Sequence, residues 1–502
     1  MKYNFLQSFA YILFGGLIGS ACSSNIQADR ILNIQPTIVP DYTSISIPVN
    51  IAPLHFTIPD TCQAEELNAI YQAGNIQIQV KGRDKQIAPA SKDWRKLLEA
   101  ADTLSIRLQV KQDGLWTEYA PFYLYVKKDQ IDSHLAYRLI EPGYEIWNEM
   151  GIYQRCLENF DEKAILTNKM TGYGCMNCHS FHQYNPDRML LHLRVDYGGT
   201  YLTSNGTIEK LNTKTPQTEY ALVYPSWHPS GDYIAFSVNN TKQMFHTTDN
   251  NRIEVMDFAS NVVVYDVNRK EIITSQRLFS PNAFETFPTF SPDGKTLYFC
   301  SADSVAMPDA YNQVKYSLCA ISFDSETRTF GEVTDTIYNA RKENKSVSFP
   351  RISPNGKHLM FTLSSYGNFS IWHKDADLYI AHLESGDISP LSVLNSDDVE
   401  SYHSWSSNGR WVVFSSRRSN GLYTQPFIAY IEEDGTAHKP FLLPQKDKNH
   451  YDGLMKSFNI PEFISGEVET SGYDISQTAK NDKGIDVEFG GFKENSTGLV
   501  DI

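Results

Sequence analysis

Short runs in which apolar and polar residues alternate make up most of the chain from residue 36 onwards, and Gly, Pro, Asn or Asp separate them. This period of two indicates β-strands. One longer pattern occurs four times, at residues 224–237, 286–301, 348–362 and 402–415. The pattern begins with an aromatic residue, which is followed by either Pro or His, by a residue of any type and by an apolar residue. A turn such as S-P-D-G and an alternating run complete it. Because Asp-Gly or Asn-Gly between two short runs is typical of a hairpin, each copy predicts one β-hairpin.

The spacing of the copies indicates a repeat protein. The turn glycines Gly231, Gly294, Gly356 and Gly409 lie 63, 62 and 53 residues apart, which is enough for four short strands per unit. Two weaker copies lie upstream, at residues 137–147 with one turn residue missing and at residues 178–191 with three residues inserted. Six units of four strands predict an all-β fold whose main domain, residues 135–445, is a six-bladed β-propeller.

The run F-P-T-F-S-P-D-G-K at residues 287–295 resembles the PD40 repeats of the TolB-like family. The resemblance covers residues 135–445. It implies that the first strand of each unit is the innermost one and lines an axial channel. It implies no particular function, because one fold carries many unrelated functions.

Two regions lie outside the repeats. Residues 36–132 contain five short alternating runs and one amphipathic segment at residues 92–101, which predict an N-terminal β-sandwich domain, immunoglobulin-like, with one helix. Residues 446–502 form a C-terminal extension. After residue 464 it is polar and Gly-rich, so we expect the tail to be partly disordered, whereas residues 458–463 are apolar enough to pack on the propeller.

The N-terminus predicts export. Lys2 precedes an apolar stretch at residues 5–18, which is too short to span a bilayer and is typical of a signal peptide over residues 1–22. The small residues that end at Cys22 resemble a bacterial lipobox, although Gly19 replaces its usual Leu. The resemblance implies a lipidated Cys22 and an envelope lipoprotein, periplasmic or on the cell surface, in the outer membrane of a Gram-negative bacterium. Plain secretion is the alternative.

Charge and missing motifs exclude several function classes. The chain has 44 Lys and Arg against 59 Asp and Glu, a net charge of −15, which argues against nucleic acid as a partner. It contains no G-x-S-x-G, H-E-x-x-H or EF-hand sequence, and the D-G-K-T at residues 293–296 lacks the first glycine of a P-loop. No enzyme activity is therefore indicated. The expected partners are the membrane, through the lipid, and an envelope protein, peptide or glycan.

Residues 175–179, C-M-N-C-H, match the attachment signature of a c-type haem. Two thiols add to the haem vinyl groups and the adjacent His reaches the iron, so Cys175, Cys178 and His179 are predicted to hold one haem c, with His179 as the metal ligand. The flanking sequence does not resemble a cytochrome domain. Four alternatives stay open: a disulfide between the two cysteines, a redox-active pair, a structural zinc site with His182 and one more ligand, or no chemical role at all.

The repeat alignment places this motif on the channel. Cys178 aligns with the aromatic position and His179 with the Pro or His position, which His403 occupies two blades away. His403 is therefore a candidate second axial ligand, or simply a residue that lines the channel. Cys300 and Cys319 lie in adjacent predicted strands, where a cross-strand disulfide is possible. The other candidate axial ligands are Met170, His182, Met189 and His192.

Two hypotheses of function follow. The first is electron transfer or haem-dependent sensing by a haem-bearing envelope lipoprotein. The second is a haem-free propeller scaffold that binds a protein, peptide or glycan partner, since channel mouths and domain junctions are common ligand sites.

Overall fold

A computed structural model describes residues 26–141, 148–249 and 251–494. The predicted signal peptide and Cys22 lie outside these ranges, as does Gly143 of the first weak repeat copy. Within the described residues, no helix is both long and apolar enough to cross a bilayer.

Six blades arranged in a ring form the main domain, which confirms the predicted β-propeller. Each inner strand contacts the inner strands of the two neighbouring blades, so the ring is closed. From inner to outer strand, blade 1 is Ser457–Ile464, His134–Ile140, Gly151–Cys156 and Glu162–Thr167; blade 2 is Met176–Phe181, Arg188–Leu193, Gly199–Ser204 and Thr207–Asn212; blade 3 is Leu222–Trp227, Tyr233–Phe245, Ile253–Asp266 and Glu271–Thr274; blade 4 is Ala283–Phe290, Thr296–Asp303, Ser317–Asp324 and Thr329–Tyr338; blade 5 is Ser346–Ile352, His358–Ser364, Asp377–His382 and Ile388–Pro390; blade 6 is Glu400–Trp405, Trp411–Ser416, Gln425–Tyr430 and Phe441–Leu442.

Blade 1 is assembled from both ends of the propeller sequence. Its inner strand Ser457–Ile464 pairs antiparallel with His134–Ile140, for example Phe463 with Leu135. This corrects two predictions, because residues 137–140 belong to the second strand of the blade and the propeller extends past residue 445. The pair Ile460-Pro461 takes the aromatic-Pro position of the repeat, but no hairpin turn follows it.

The repeated turns explain why the pattern recurs. In blade 4, Ser291 Oγ accepts the backbone N–H of Thr296 at 3.0 Å, and Asp293 Oδ1 accepts that of Lys295 at 3.0 Å. Gly294 has a φ of 74°, in the left-handed region that glycine occupies without strain. The S-x-D/N-G sequence therefore satisfies the turn's backbone donors before the second strand begins.

The N-terminal domain is one branched sheet with a short ribbon and a helix, and so differs from the predicted sandwich. Thr103–Gln112 pairs with Glu66–Ala73 on one edge; its other edge pairs with Phe122–Lys127 over its first half and with Leu115–Glu118 over its second half. The remaining strands of the seven-stranded sheet are Arg30–Ile31, Ile45–Pro48 and Ile76–Lys81, and the ribbon is Phe56–Thr57 with Gln86–Ile87.

The predicted helix of this domain is confirmed as Ser91–Ala100, which buries Trp94, Leu97 and Leu98. The other helices are short except the last: Asn168–Thr171, His182–Tyr184, Val195–Tyr197, Tyr311–Gln313, Ala340–Glu343, Ser370–Trp372, His450–Gly453 and Gly472–Asn481.

The tail is ordered up to residue 494, which corrects the expected disorder over that part. We call residues 472–494 the strap. Its helix Gly472–Asn481 buries Ile475 and Ala479, and its strands Ile485–Asp486 and Glu488–Phe492 pair in parallel with the outer strands of blades 2 and 3. A polar segment is held here because open strand edges supply backbone hydrogen bonds and few apolar side chains suffice.

Candidate functional site

A β-bulge interrupts the inner strand of every blade at the same repeat position. The residue at the bulge has a φ between 50° and 53° in all six blades, although none is glycine. The strand pairing shifts register beside each of them. Bulges re-aim side chains, and here they turn six of them toward the axis. These residues, which we call the plug, are Ile460, Cys178, Tyr224, Phe287, Phe349 and Tyr402.

The plug fills the channel. Phe287 and Phe349 lie with their ring centroids 4.2 Å apart, and Phe349 and Tyr402 are 4.8 Å apart. Tyr224 also reaches Phe349, two blades away, at 6.2 Å, so the rings meet across the axis. The channel is therefore divided into two separate mouths.

One mouth is covered by an extension of blade 3. Strands Tyr233–Phe245 and Ile253–Asp266 run beyond the blade as an arm, defined as residues 240–245 and 253–259. Glu254 Oε1 accepts the Tyr366 hydroxyl at 2.5 Å, and Glu254 Oε2 lies 3.0 Å from Nε2 of His373 in the next blade but one. The Oδ2 atom of the buried Asp257 carboxyl group accepts hydrogen bonds from Asn239, Tyr316 and Asn368. The arm thus closes the mouth at which the inner strands begin.

The other mouth holds an open cavity of about 470 Å³, with plug residues as its floor. Its lining includes Trp227, Phe290 and Trp405 and the prolines of the hairpin turns. Phe290 and Trp405 are almost fully buried in the cores between blades, whereas Trp227 is partly exposed. Above the floor, one side chain from every blade faces the cavity at the position that follows Pro or His in the repeat. We call this set the polar ring: Glu462, Ser180, Ser226, Thr289, Arg351 and Ser404.

The polar ring combines four small polar residues with one cation and one anion. Ser226 Oγ accepts the backbone N–H of Phe290 at 3.1 Å, and Glu462 Oε1 accepts that of Phe181 at 3.0 Å, so equivalent positions link neighbouring blades. Burial raises the pKa of Glu462 to about 7, against the opposing effect of the Phe181 hydrogen bond and Arg351. Burial lowers the pKa of the Arg351 guanidinium.

The structure places Cys175, Cys178 and His179 in three different environments. Cys178 is a buried plug residue, and burial raises the pKa of its thiol. Cys175 is half-buried against the apolar core between blades 1 and 2. His179 is 2 % exposed, and burial lowers its pKa to about 3, so the imidazole is neutral. All described cysteines are free thiols, Cys175 and Cys178 included.

His179 lies in the seam between blades 1 and 2. The backbone carbonyls of Ala136 and Ile460 face its ring, although neither forms a hydrogen bond of normal geometry with it. His403 occupies the equivalent seam between blades 5 and 6, where its Nε2 lies 3.0 Å from the Met360 carbonyl oxygen. Both histidines border the cavity, but each is directed at the neighbouring blade.

A c-type haem requires both thiols and the imidazole to converge on one porphyrin. As folded, the three side chains do not fit that group, because Cys175 packs half-buried against a blade core, Cys178 belongs to the plug and His179 lies in a seam. The other candidate axial ligands are also separated. Met170 is exposed, Met189 is in the core, Nε2 of His182 lies 3.0 Å from the Pro229 carbonyl, and Nδ1 of His192 lies 3.3 Å from Thr200 Oγ1. The described residues contain no cluster of His, Cys, Asp and Glu suited to a metal.

The register of blade 4 also corrects the suggested disulfide. Cys319 pairs with Phe299, and Cys300 pairs with Leu318. The two cysteines are therefore offset by one residue and point to opposite faces of the sheet. Cys300 packs in the core toward blade 5, and Cys319 packs in the core toward blade 3.

Sequence reasoning missed the residues that line the cavity. The polar ring residues occupy the position of the repeat pattern at which any residue type was allowed. From blade 1 to blade 6, the residues at this position are E, S, S, T, R and S. The available signal was the polar character of this column between Pro or His and an apolar residue.

No known protein family and no curated protein matches the sequence. Among solved structures, prolyl oligopeptidase B from Galerina marginata is 11% identical, with a TM-score of 0.33, over 66% of this chain and 42% of that protein. The tricorn protease is 10% identical, with a TM-score of 0.30, over 78% and 38%. A DUF4784 family protein from Bacteroides caccae is 7% identical, with a TM-score of 0.28, over 72% and 95%. The chain spans less than half of the first two proteins, and the fold assignment given above rests on strand pairing.

Proposed function

We propose that the protein is an exported, lipid-tethered binding protein that takes a small ligand, or the end of a larger one, at the open mouth of its propeller. One observation carries the proposal: the plug and the arm close the channel on one side and leave a cavity of about 470 Å³ on the other. Ligand sites are concave, mostly apolar and supplied with a few polar groups, and typically measure about 300–1,000 Å³.

The cavity has the parts that such binding requires. The partly exposed Trp227 supplies apolar contact area in the cavity lining. The polar ring supplies hydroxyl groups and two charges deeper in the cavity. The inner strands hold these groups by backbone pairing, so a ligand would meet an arrangement that is already formed.

The test is a panel of amino acids, dipeptides and oligosaccharides, measured by calorimetry on the purified mature chain. Thr289→Trp places a bulky ring in the cavity and should abolish the binding of any ligand found. Val333→Trp, at a position 73% exposed on the outside of blade 4, is the control and should bind normally. A folded Thr289→Trp protein that binds as well as the control would overturn the proposal.

Haem-dependent electron transfer or sensing is the second candidate, and the C-x-x-C-H sequence beside the cavity favours it. It requires Cys175 to leave the blade core and the Cys178 side chain to leave the plug. The protein should be produced in a host that attaches c-type haem, and its pyridine haemochrome spectrum and intact mass recorded. An added haem mass that Cys178→Ala removes would establish this candidate.

The lipid tether depends on Cys22, which lies outside the described residues. Cys22→Ala should release the protein from the membrane fraction or block its maturation. Unchanged membrane association would remove the tether from the proposal and leave the binding site untouched.

A further inference from the structure

The charges of the polar ring are few and unevenly placed. Arg351 on blade 5 and Glu462 on blade 1 flank Ser404 on blade 6, so both charges lie on one side of the cavity. The other three members, on blades 2, 3 and 4, are uncharged.

Arg351 has unused hydrogen-bonding capacity. It is half-buried, and its guanidinium makes one hydrogen bond, from Nη1 to its own neighbour's carbonyl at Pro350, at 3.1 Å. Among the described residues, no carboxylate lies close enough to Arg351 to form an ion pair, and this includes the carboxylate of Glu462. A half-buried guanidinium without an anionic partner is unfavourable, and a planar carboxylate can accept two of its N–H groups at once.

One of the two carboxyl oxygens of Glu462 already has a hydrogen-bond partner. Its Oε1 accepts the Phe181 N–H, no hydrogen bond to its Oε2 is formed by the described residues, and Glu462 lines the cavity. Burial keeps the pKa of this carboxyl near 7, so a cation placed beside it would favour the ionised form. Arg351 and Glu462, which both line the cavity without forming an ion pair, therefore offer a site for one negative and one positive group.

We infer that the cavity binds a zwitterionic ligand, an amino acid or short peptide with free termini, whose carboxylate pairs with Arg351 and whose ammonium pairs with Glu462. The inference rests on the proposed function and adds the class of ligand. Trp227, which is partly exposed in the cavity lining, would contact an apolar side chain of the ligand. The cavity volume of about 470 Å³ suits a ligand of this size.

The experiment uses the dipeptide Leu-Leu, its N-acetyl form and its C-terminal amide, with free leucine as a further arm, all measured by calorimetry. In the wild-type protein, each blocking group should weaken binding at least about tenfold, because it removes one charge-assisted hydrogen bond. In Glu462→Gln the effect of acetylation should fall to about twofold or less, and in Arg351→Gln the same should hold for amidation. Comparison of leucine with Leu-Leu distinguishes a free amino acid from a peptide.

Arg341→Gln and Glu343→Gln, at exposed positions, are the matched charge controls and should keep both discriminations. If Arg351→Gln does not fold, Glu462→Gln and the blocked dipeptides still decide the matter. Equal binding of free and blocked dipeptides, abolished by Thr289→Trp, would overturn this inference and leave the proposed function standing. Absence of binding by both leucine and Leu-Leu also overturns it, and the proposed function then falls only if the whole panel fails.

Discussion

Each plug residue holds a backbone conformation that costs a non-glycine residue about 1–3 kcal/mol. Six such residues occur in the ring, so their packing across the axis has to offset a considerable strain. The repeat sequence reflects this balance: the bulge position is aromatic in four blades, because a large ring on the axis contacts its equivalents in other blades. Cys178 and Ile460 fill the remaining two places.

Phe349 lies at the centre of the plug, and Phe349→Ala should lower the free energy of unfolding by about 3–5 kcal/mol. The residue is 3 % exposed and contacts both Phe287 and Tyr402. Phe245→Ala, at a position 54 % exposed on the arm, should change stability by less than about 0.5 kcal/mol. Urea denaturation followed by fluorescence measures both, and similar losses would contradict a packed plug.

Asp257 should make stability depend on pH. Burial raises the pKa of this carboxyl from 3.8 to about 7, so the folded protein holds a proton that the unfolded chain releases. Its contribution is complete below pH 4 and is lost as pH rises to 7, by at most about 1.4 kcal/mol per pH unit. Asp257→Asn should flatten that part of the curve, as measured by urea denaturation at a series of pH values. An unchanged slope between pH 4 and 7 would contradict the assignment.

The residues of the C-x-x-C-H sequence show that strand membership can be predicted from the sequence and side-chain direction cannot. The alignment placed Cys178 and His179 on the inner strand, and the structure has them there. It could not give side-chain directions, because the bulge sends residue 178 to the axis and residue 179 into a seam. A motif of five residues fixes spacing along the chain, whereas haem attachment depends on direction in space.

Among the elements, hairpins were predicted well and long-range pairings poorly. Turns such as that at Gly294 leave a local signature, because a left-handed glycine and a capping Ser are adjacent in sequence. The strand Ser457–Ile464 has almost no local sequence signature, because its partner His134–Ile140 lies at the opposite end of the propeller sequence. The strap was missed for the same reason: its strands are stabilised by edges of blades 2 and 3.

Two truncations separate the roles of these elements. A chain that ends at residue 456 lacks the inner strand of blade 1 and should not fold, because the ring stays open and His134–Ile140 loses a partner. A chain that ends at residue 470 keeps the ring and loses the strap, so it should fold with a lower melting temperature. Circular dichroism and calorimetry distinguish these outcomes. A cooperative transition in the shorter chain would contradict closure by Ser457–Ile464.

At the scale of the whole molecule, the N-terminal domain and the propeller share one core. Apolar side chains of the branched sheet form a single cluster with Trp411, Tyr430 and Phe458 of the propeller. Hydrogen bonds reinforce it: Trp411 Nε1 donates to the Asp129 carbonyl at 3.0 Å, and the Tyr430 hydroxyl donates to the Asp129 carboxylate at 2.6 Å.

The N-terminal domain and the propeller should therefore unfold together in one calorimetric transition. A chain that begins at residue 133 would leave Trp411 and the apolar outer strands of blade 6 uncovered, and it should aggregate or melt at a lower temperature. Two separate transitions in the full chain would show that the domains are energetically independent.

The origin of blade 1 in two distant segments also sets the order of events during biosynthesis. The ring cannot close until Ser457–Ile464 has been synthesised, so a prematurely terminated product retains an unfilled position beside His134–Ile140. That position can also accept the same strand from another copy. At high protein concentration, slow closure would lead to dimers that have exchanged this strand, whereas rapid closure keeps each copy separate.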